Sequence, residues 1–329
     1  MRRLLLFCVL MTALCVPSAG LADGVVSVFY YPWFSGLGSG DNHWVQGGYH
    51  LPDIDSNYYP SLGPYSTGSL DVLDTQMAEI ASAGVDEVAV SWWGRGSTED
   101  QRLPAIMASA EAHHLAVAVE LEPYGGRTVA GTAADIEYLT TLGVTTFYVY
   151  EPFETAPPAA WTTTIFALRT QGLTLFAQTG LVGQAATADF SGVYTYDIVT
   201  YGARELARYC KEAHQVGLLC APSVGPGFDA ERATGDPRVL PRRDGATYDG
   251  MWRAALKAGA DRVTITSFNE WQEGTQIEPA DPPQRLQGMP YASYDGAWGL
   301  DGKAASTAYL ARTAYWAAKF HAEAKSASP

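Results

Sequence analysis

Two glutamates separated by two residues are the part of this sequence best suited to chemistry. Glu270 and Glu273 follow a β-branched run that ends near Asn269. If the chain turns directly after that strand, side chains three positions apart come within about 5–6 Å of each other. Enzymes that cleave glycosidic bonds with retention of configuration hold two carboxyl groups about 5–5.5 Å apart. Two like charges that close also raise the pKa of one carboxyl, which keeps a proton donor available near neutral pH.

A carboxylate after a strand is also common without a catalytic role, and Glu270 or Glu273 could merely cap the loop before a helix. Other predicted strands end in rings, amides and further carboxylates. A sugar has apolar ring faces that stack on aromatic side chains and hydroxyls that need acceptors, so this composition favours a carbohydrate pocket. The candidate binding residues are Glu122, Tyr30, Tyr31, Trp92, Trp93, Tyr124, Tyr194, Asn269 and Trp271.

The elements that must position these residues alternate between short strands and alanine-rich amphipathic helices. Strands are predicted at 25–33, 85–93, 115–124, 145–153, 173–180, 192–199, 217–224 and 262–269. Helices are predicted at 70–83, 99–114, 133–142, 158–171, 203–216, 249–258 and 307–322, whereas 181–189 is too short for one. This alternation predicts an α/β fold, a (β/α)8 TIM barrel of a single domain. A doubly wound open sheet is the alternative, although no glycine-rich phosphate turn follows the first strand.

Connections between the elements support the barrel. Four predicted helices are followed at once by a glycine, at Gly84, Gly143, Gly172 and Gly217, and glycine tolerates the left-handed conformation that ends a helix. The long irregular segments 34–69, 225–247 and 274–306 follow strands rather than precede them. In a barrel these long βα loops lie at the C-terminal mouth, where active sites are built.

Composition restricts the partners. The chain has 329 residues, of which 47% are hydrophobic, and a formal net charge of −14. An acidic surface repels phosphate backbones, so nucleic acid is excluded as a partner.

The N-terminus has the pattern of a targeting segment. Arg2 and Arg3 precede a short apolar run and small residues up to Ala22. This pattern predicts a signal peptide at 1–22, a mature domain at 23–329 and a secreted or periplasmic location. A retained or lipidated anchor is the alternative; the mature chain has no predicted membrane span.

Two cysteines remain in the predicted mature chain, Cys210 and Cys220. Oxidising conditions outside the cytoplasm could pair them. We expect instead two buried, unpaired cysteines, one on a helix and one on the following strand. Neither has a spacing that suggests a nucleophile or a zinc ligand.

A longer pattern resembles a known family. The stretch from Ile265 to Pro279, ITSFNEWQEGTQIEP, resembles the signature of glycoside hydrolase family 99, the endo-α-1,2-mannosidases and endo-α-mannanases. Other blocks appear in the family's order from about residue 25 to 316, among them YYPW at 30–33, SWW at 91–93, EPY at 122–124 and GVYTY at 192–196. The resemblance implies a (β/α)8 barrel, no metal, no cofactor and an α-mannan or mannose-containing oligosaccharide as substrate.

The resemblance also implies roles for the two glutamates. Glu270 would take the proton from the mannose 2-hydroxyl, whose oxygen attacks the anomeric carbon to give a 1,2-anhydro sugar, and Glu273 would protonate the leaving sugar and then activate water. Glu122 matches a carboxylate of the same subsite. The sequence departs from the family at Gln272, where histidine is usual, and at 151–154. A catalytically silent glycan-binding barrel and an enzyme of polysaccharide assembly are the alternatives.

Overall fold

The predicted alternation forms a parallel barrel in a computed structural model that describes residues 24–36, 43–45, 53–282 and 290–327. Its strands are β1 (Val25–Tyr30), β2 (Glu87–Trp92), β3 (Ala116–Leu121), β4 (Thr146–Val149), β5 (Thr174–Gln178), β6 (Gly192–Tyr194), β7 (Leu219–Ala221), β8 (Ser223–Val224) and β11 (Arg262–Ile265). Their order in the sheet is β7-β6-β5-β4-β3-β2-β1-β11-β8, with every neighbouring pair parallel. Because β7 and β8 are separated only by Pro222, the two edges of the sheet meet and the (β/α)8 prediction is confirmed. The predicted signal peptide lies outside the described residues.

The helices lie between successive strands, except for the last two, which follow β11. They are α1 (Leu70–Ser82), α2 (Thr98–Ala112), α3 (Val129–Thr141), α4 (Pro152–Thr155), α5 (Pro158–Arg169), α6 (Val182–Thr187), α7 (Leu206–Gln215), α8 (Glu231–Thr234), α9 (Ala246–Lys257), α10 (Gly302–Ser306) and α11 (Ala308–Ala327). All seven predicted helices are present. The short helices α4, α6, α8 and α10 were not predicted, because one or two turns carry no periodic pattern. Within the described ranges no helix has the length and apolarity needed to cross a membrane.

Local signals set the helix ends. The side chain of Ser97 accepts a hydrogen bond from the backbone of Asp100 at the start of α2, and Thr128 caps α3 in the same way. The four glycines predicted to end helices all have positive φ angles, between 70° and 104°. Each helix therefore stops at the glycine and the chain enters the next strand within a few residues.

The barrel interior is filled in layers. At the end where the strands begin, Arg262 forms a buried ion pair with Glu87 at 3.2 Å. Ser27 donates a hydrogen bond of 2.6 Å to the same carboxylate. Above this polar layer, the rings of Phe29, Phe176 and other aromatic residues pack against one another. The barrel interior is thus closed where the strands begin, and within the interior only the end where the strands finish can hold a ligand.

The long loops cover that open end. In the loop after β8, β9 (Phe228–Asp229) pairs antiparallel with β10 (Val239–Leu240). The loops after β1 and β11 are joined by backbone bridges between Tyr58 and Ala292 and between Pro60 and Ala280. The backbone N–H of Asp229 donates to the carbonyl of Glu273 at 2.8 Å. Three insertions therefore support the segment that carries the two glutamates.

The cysteine expectation was wrong. Cys210 of α7 and Cys220 of β7 form a disulfide, with Cα atoms 5.1 Å apart. Helix α7 ends at Gln215 and Gly217 turns the chain back directly, so the helix packs against the strand that follows it. This packing brings two cysteines ten residues apart in sequence into bonding distance.

Candidate active site

A single cavity at the mouth of the barrel brings together residues from the ends of several strands. Its volume is about 200 Å³. It contains five of the predicted site residues, and rings and a proline complete its wall. The lining residues are Tyr31, Trp33, Trp93, Glu122, Pro123, Tyr150, Tyr196, Glu270 and Glu273.

Both glutamates of the sequence pair face this cavity because the chain turns sharply after β11. The backbone N–H of Trp271 donates to the carbonyl of Asn269 at 3.0 Å, and that of Gly274 donates to the carbonyl of Trp271 at 3.2 Å. Gly274 has a φ of 65°, and a Cβ there would lie 3.1 Å from the carbonyl oxygen of Asp229. Glycine is needed at this position to complete the turn beneath the neighbouring loop.

Glu270 lies deep in the wall, only 3% exposed. Its backbone N–H donates to Ser267 Oγ at 2.8 Å, and one carboxylate oxygen accepts from the backbone N–H of Gln272 at 3.1 Å. Burial raises the pKa of Glu270 well above its usual range, and the nearby charge of Glu273 raises it further. The backbone hydrogen bonds from residues 272 and 273 oppose the rise in pKa without cancelling it.

Glu273 lies nearer the opening and is held by a chain of hydroxyls. Tyr196 donates to its carboxylate at 3.2 Å, and Tyr31 donates to the Tyr196 hydroxyl at 2.5 Å. Burial raises the pKa of Glu273 to about 7, although the Tyr196 hydrogen bond lowers it. Since the pKa values of both glutamates are raised, the pair retains a proton near neutral pH, as acid and base catalysis by one pair requires.

Glu122 provides a third carboxyl group. Ser91 Oγ donates to it at 2.8 Å, and burial raises its pKa to about 8 against the lowering effects of Ser91 and Arg127. Glu120, two residues earlier on β3, points to the same side of the strand and lies one layer deeper, fully buried. Its carboxylate accepts from the Tyr194 hydroxyl at 2.9 Å. The floor of the cavity is therefore acidic through two layers.

Aromatic rings form the rim. Trp33 lies 4.7 Å from the ring of Tyr31 and stacks on His43 at 5.0 Å. Trp93 lies 6.5 Å from Trp33 and is 38% exposed. Gln272, which departs from the family pattern, donates to the backbone carbonyl of His43 at 2.6 Å and so joins the glutamate turn to this rim.

Tyr30 and Trp92 were predicted to contact the ligand, but they point away from the cavity. The Tyr30 hydroxyl donates to Gln76 on α1 at 2.6 Å, and the Trp92 indole donates to Asp100 on α2 at 3.0 Å. Successive residues of a strand face opposite sides. The side chains that enter the cavity are therefore those of the next residues along each strand, Tyr31 and Trp93.

Four further predicted residues also lie outside the cavity lining. Tyr194 is one layer too deep, beside Glu120, and the Tyr124 hydroxyl donates to Asp135 on α3. The Asn269 side chain accepts from the backbone N–H of Tyr31 at 2.7 Å and donates to its carbonyl at 3.0 Å. The Trp271 indole donates to the buried Glu278 at 2.8 Å. Asn269 and Trp271 thus fix the turn that carries the glutamates rather than line the pocket.

The sequence prediction missed four lining residues, Trp33, Pro123, Tyr150 and Tyr196. Tyr196 follows Tyr194 by two positions, so strand alternation places both rings on the inner side, with Tyr196 nearer the mouth. The same reasoning could have extended the Tyr31 prediction to Trp33. In the described part of the chain, no group of three or more histidine, cysteine, aspartate or glutamate side chains is arranged to hold a metal ion.

Comparison with known proteins agrees with this geometry. The sequence profile of the family described as "Glycosyl hydrolase family 99" matches residues 36–322 of this chain. A "Glycoprotein endo-alpha-1,2-mannosidase-like protein" of Danio rerio is 30% identical over 79% of this chain and 72% of its own length. The "Glycoprotein endo-alpha-1,2-mannosidase" of Mus musculus is 29% identical over 84% of this chain and 67% of its own.

A solved structure is similar over nearly the whole fold. The GH99 endo-alpha-mannosidase from Bacteroides thetaiotaomicron superposes with a TM-score of 0.82 at 28% identity, covering 93% of this chain and 99% of that one. The barrel, the acidic cavity at its mouth and these matches lead to the same assignment. The chain belongs to glycoside hydrolase family 99 and is a glycoside hydrolase.

Proposed function

We propose that this enzyme hydrolyses internal α-mannoside linkages of a mannan or a mannose-containing glycan, with retention, through a 1,2-anhydro sugar. The observation that carries the proposal is the shared position of Glu270 and Glu273 in one cavity walled by rings. The relatives named for endo-α-mannosidase activity support the substrate class.

In the first step, the Glu270 carboxylate takes the proton of the mannose 2-hydroxyl while that oxygen attacks C1. The bond from C1 to the leaving oxygen breaks, and Glu273 donates its proton to that oxygen. Mannose suits this step because its axial O2 lies opposite an α-leaving group. The turn that presents both glutamates to one cavity supports the assignment of one proton acceptor and one proton donor to the same sugar.

In the second step, Glu273, now ionised, takes a proton from water while the water oxygen attacks C1 of the anhydro sugar. The C1–O2 bond breaks and O2 recovers its proton from Glu270. Two inversions at C1 give net retention.

The reaction needs one proton on the glutamate pair before substrate binds. In the free site, burial and the charge of Glu273 both favour placing the proton on Glu270. A 2-hydroxyl that donates to the Glu270 carboxylate favours its ionised form, because a hydrogen bond to the charged state lowers a pKa. We propose that substrate binding moves the proton to Glu273.

The size of the cavity supports a single enclosed sugar unit. About 200 Å³ is below the range of about 300–1,000 Å³ typical of ligand pockets. The neighbouring units would lie along the rim, where Trp93 is exposed.

We further propose that the enzyme acts outside the cytoplasm, which the basic and apolar pattern of residues 1–22 supports. N-terminal sequencing of the protein recovered from its host tests this, and a retained Arg2 would contradict it.

Replacement of single glutamates tests the proposed chemistry. Glu270→Gln and Glu273→Gln should each lower kcat on an α-mannan by about 10²- to 10⁴-fold with thermal stability retained. Glu154→Gln, at an exposed position outside the cavity, is the matched control and should keep full activity. Product sizes are read by mass spectrometry. A wild-type protein that binds mannan but releases no product would instead favour the non-catalytic barrel.

A further inference from the structure

A second cavity lies on the outside of the barrel, in a groove between α9 and α11. Its volume is about 430 Å³. Four cations line it together with two aromatic rings, a leucine and a glutamate. These lining residues are Arg253, Leu256, Lys257, Arg312, Tyr315, Trp316, Lys319 and Glu323. Glu323 and the adjacent Asp249 leave the groove with a formal charge of +2, whereas the whole chain carries −14.

The inner side of this cationic groove is rigidly organised. Asp249, whose side chain is only 7% exposed, accepts two hydrogen bonds from Arg312, at 2.6 and 2.5 Å, and one from the Trp316 indole at 2.8 Å. The ring of Tyr315 lies 4.5 Å from the Arg312 guanidinium and 4.8 Å from the Lys319 ammonium. The buried carboxylate therefore fixes Arg312 in place, while the Tyr315 ring contacts both Arg312 and the exposed Lys319.

The outer side has cations with unused donors. The Arg253 side chain is 62% exposed and reaches Asp249 at 3.3 Å through one nitrogen only. Lys257 and Lys319 are exposed and form no ion pair within the part of the chain that the structure describes. Lys257, Arg253 and Lys319 thus present positive charge to solvent on both sides of one groove.

The cationic groove lies at the end of the barrel where the strands begin. Lys257 is the last residue of α9, which returns to the start of β11. On α11, His321 pairs with Asp86, which precedes β2, at 2.8 Å. A Cβ placed on Gly24, just before β1, would lie 2.5 Å from the Ala324 Cβ. A ligand in this groove therefore leaves the cavity at the opposite end of the barrel open.

We propose that the cationic groove binds the acidic groups of an anionic polysaccharide. The exposed cations lie on both helices, Arg253 and Lys257 on α9 and Lys319 on α11. A chain with repeated acidic groups can pair with more of them at once than a single carboxylate or phosphate can, so it satisfies the site best. Duplex nucleic acid is disfavoured because its phosphates would face the remaining negative surface.

Binding of a carboxylate-bearing glycan to the full-length protein tests the inference. Oligogalacturonate should bind in low salt by isothermal titration calorimetry and weaken as salt rises, because screening reduces exposed charge interactions. The double variant Lys257→Gln/Lys319→Gln should bind it about tenfold or more weakly and hydrolyse a short neutral mannoside at the wild-type rate. Arg208→Gln/Lys211→Gln on α7 makes the same change in net charge and should bind like wild type.

Two further ligands show which kind of anion the cationic groove prefers. Inorganic phosphate and vesicles of anionic phospholipid are tested beside the oligogalacturonate. Equal binding by the two double variants would overturn the proposal, as would absence of binding to the oligosaccharide. Preference for vesicles, lost in the Lys257→Gln/Lys319→Gln variant, would assign the groove to a lipid surface and reject the polysaccharide. None of the binding outcomes depends on Glu270 or Glu273, so they are independent of the proposed hydrolysis.

Discussion

Removal of the Tyr196 hydroxyl should move the pH dependence of catalysis in a direction that the site dictates. Tyr196 donates to the Glu273 carboxylate at 3.2 Å, and its ring lies 5.3 Å from Phe29 and 5.5 Å from Tyr150. Tyr196→Phe keeps the ring and removes the hydroxyl, and with it the hydrogen bond accepted from Tyr31 and the one donated to Glu273. That bond favours the ionised form of Glu273, so its loss should raise the pKa of this carboxyl above about 7.

The size of the shift follows from the bond. A hydrogen bond to a charged group contributes about 1.5–3 kcal/mol, and 3.2 Å is long for an O–H···O contact, so about 1.5 kcal/mol applies here. About 1.4 kcal/mol corresponds to one pKa unit. A general acid works in its protonated form, so activity is present below the pKa and is lost as pH rises through it. The alkaline limb of kcat reports the enzyme–substrate complex, in which the proton is on Glu273, so this limb should move up by about one pH unit in Tyr196→Phe.

The assay is kcat against pH on a saturating concentration of a linear α-mannan oligosaccharide, from product release by mass spectrometry. Tyr31→Phe is the matched control, because the Tyr31 hydroxyl donates to Tyr196 rather than to the carboxylate, and its shift should be smaller. An alkaline limb that stays in place in Tyr196→Phe, or that moves to lower pH, would refute the assignment of Glu273 as the general acid.

Three further predictions concern stability and the rim. Cys210→Ser opens a disulfide between cysteines ten residues apart and should lower the free energy of unfolding by about 2.5 kcal/mol in a denaturant titration, with kcat unchanged; equal stability would contradict a formed bond. Arg262→Leu leaves buried Glu87 without its cation and should cost about 3–5 kcal/mol, of which an added Glu87→Gln should restore part. Trp93→Ala should raise KM about fivefold to tenfold with Tm unchanged, and an unchanged KM would remove Trp93 from the sugar path.

The barrel could be predicted because its signals are local. Gly84 and Gly217 adopt the left-handed conformation that ends a helix, and eight short β-branched runs separated by helices admit few topologies. The spacing of Glu270 and Glu273 brings the two side chains together only if the chain turns after Asn269, and the turn that ends at Gly274 meets this condition. These features need only neighbouring residues to be interpreted.

Other features depend on tertiary contacts that the sequence does not state. Whether Tyr30 or Tyr31 enters the cavity depends on the inward side of β1, which the adjacent rings leave ambiguous in the sequence. Asn269 and Trp271 belong to the motif that carries the two glutamates, which suggested that they contact the ligand. Their hydrogen bonds instead go to Tyr31 and to Glu278 behind the turn. The disulfide required knowledge of how α7 docks. The packing of whole elements against one another, rather than the local sequence pattern, determined where these side chains lie.

The stereochemistry of the first product tests the central claim most directly. The proposed reaction has two displacements at C1 and therefore preserves the anomeric configuration. The first displacement is by O2, whose proton Glu270 takes, and the second is by water activated by Glu273. Proton NMR of a mannan digest, recorded before mutarotation, should show the α-anomer at the new reducing end. A β-anomer formed first would mean direct attack by water and would contradict the assigned roles of both glutamates.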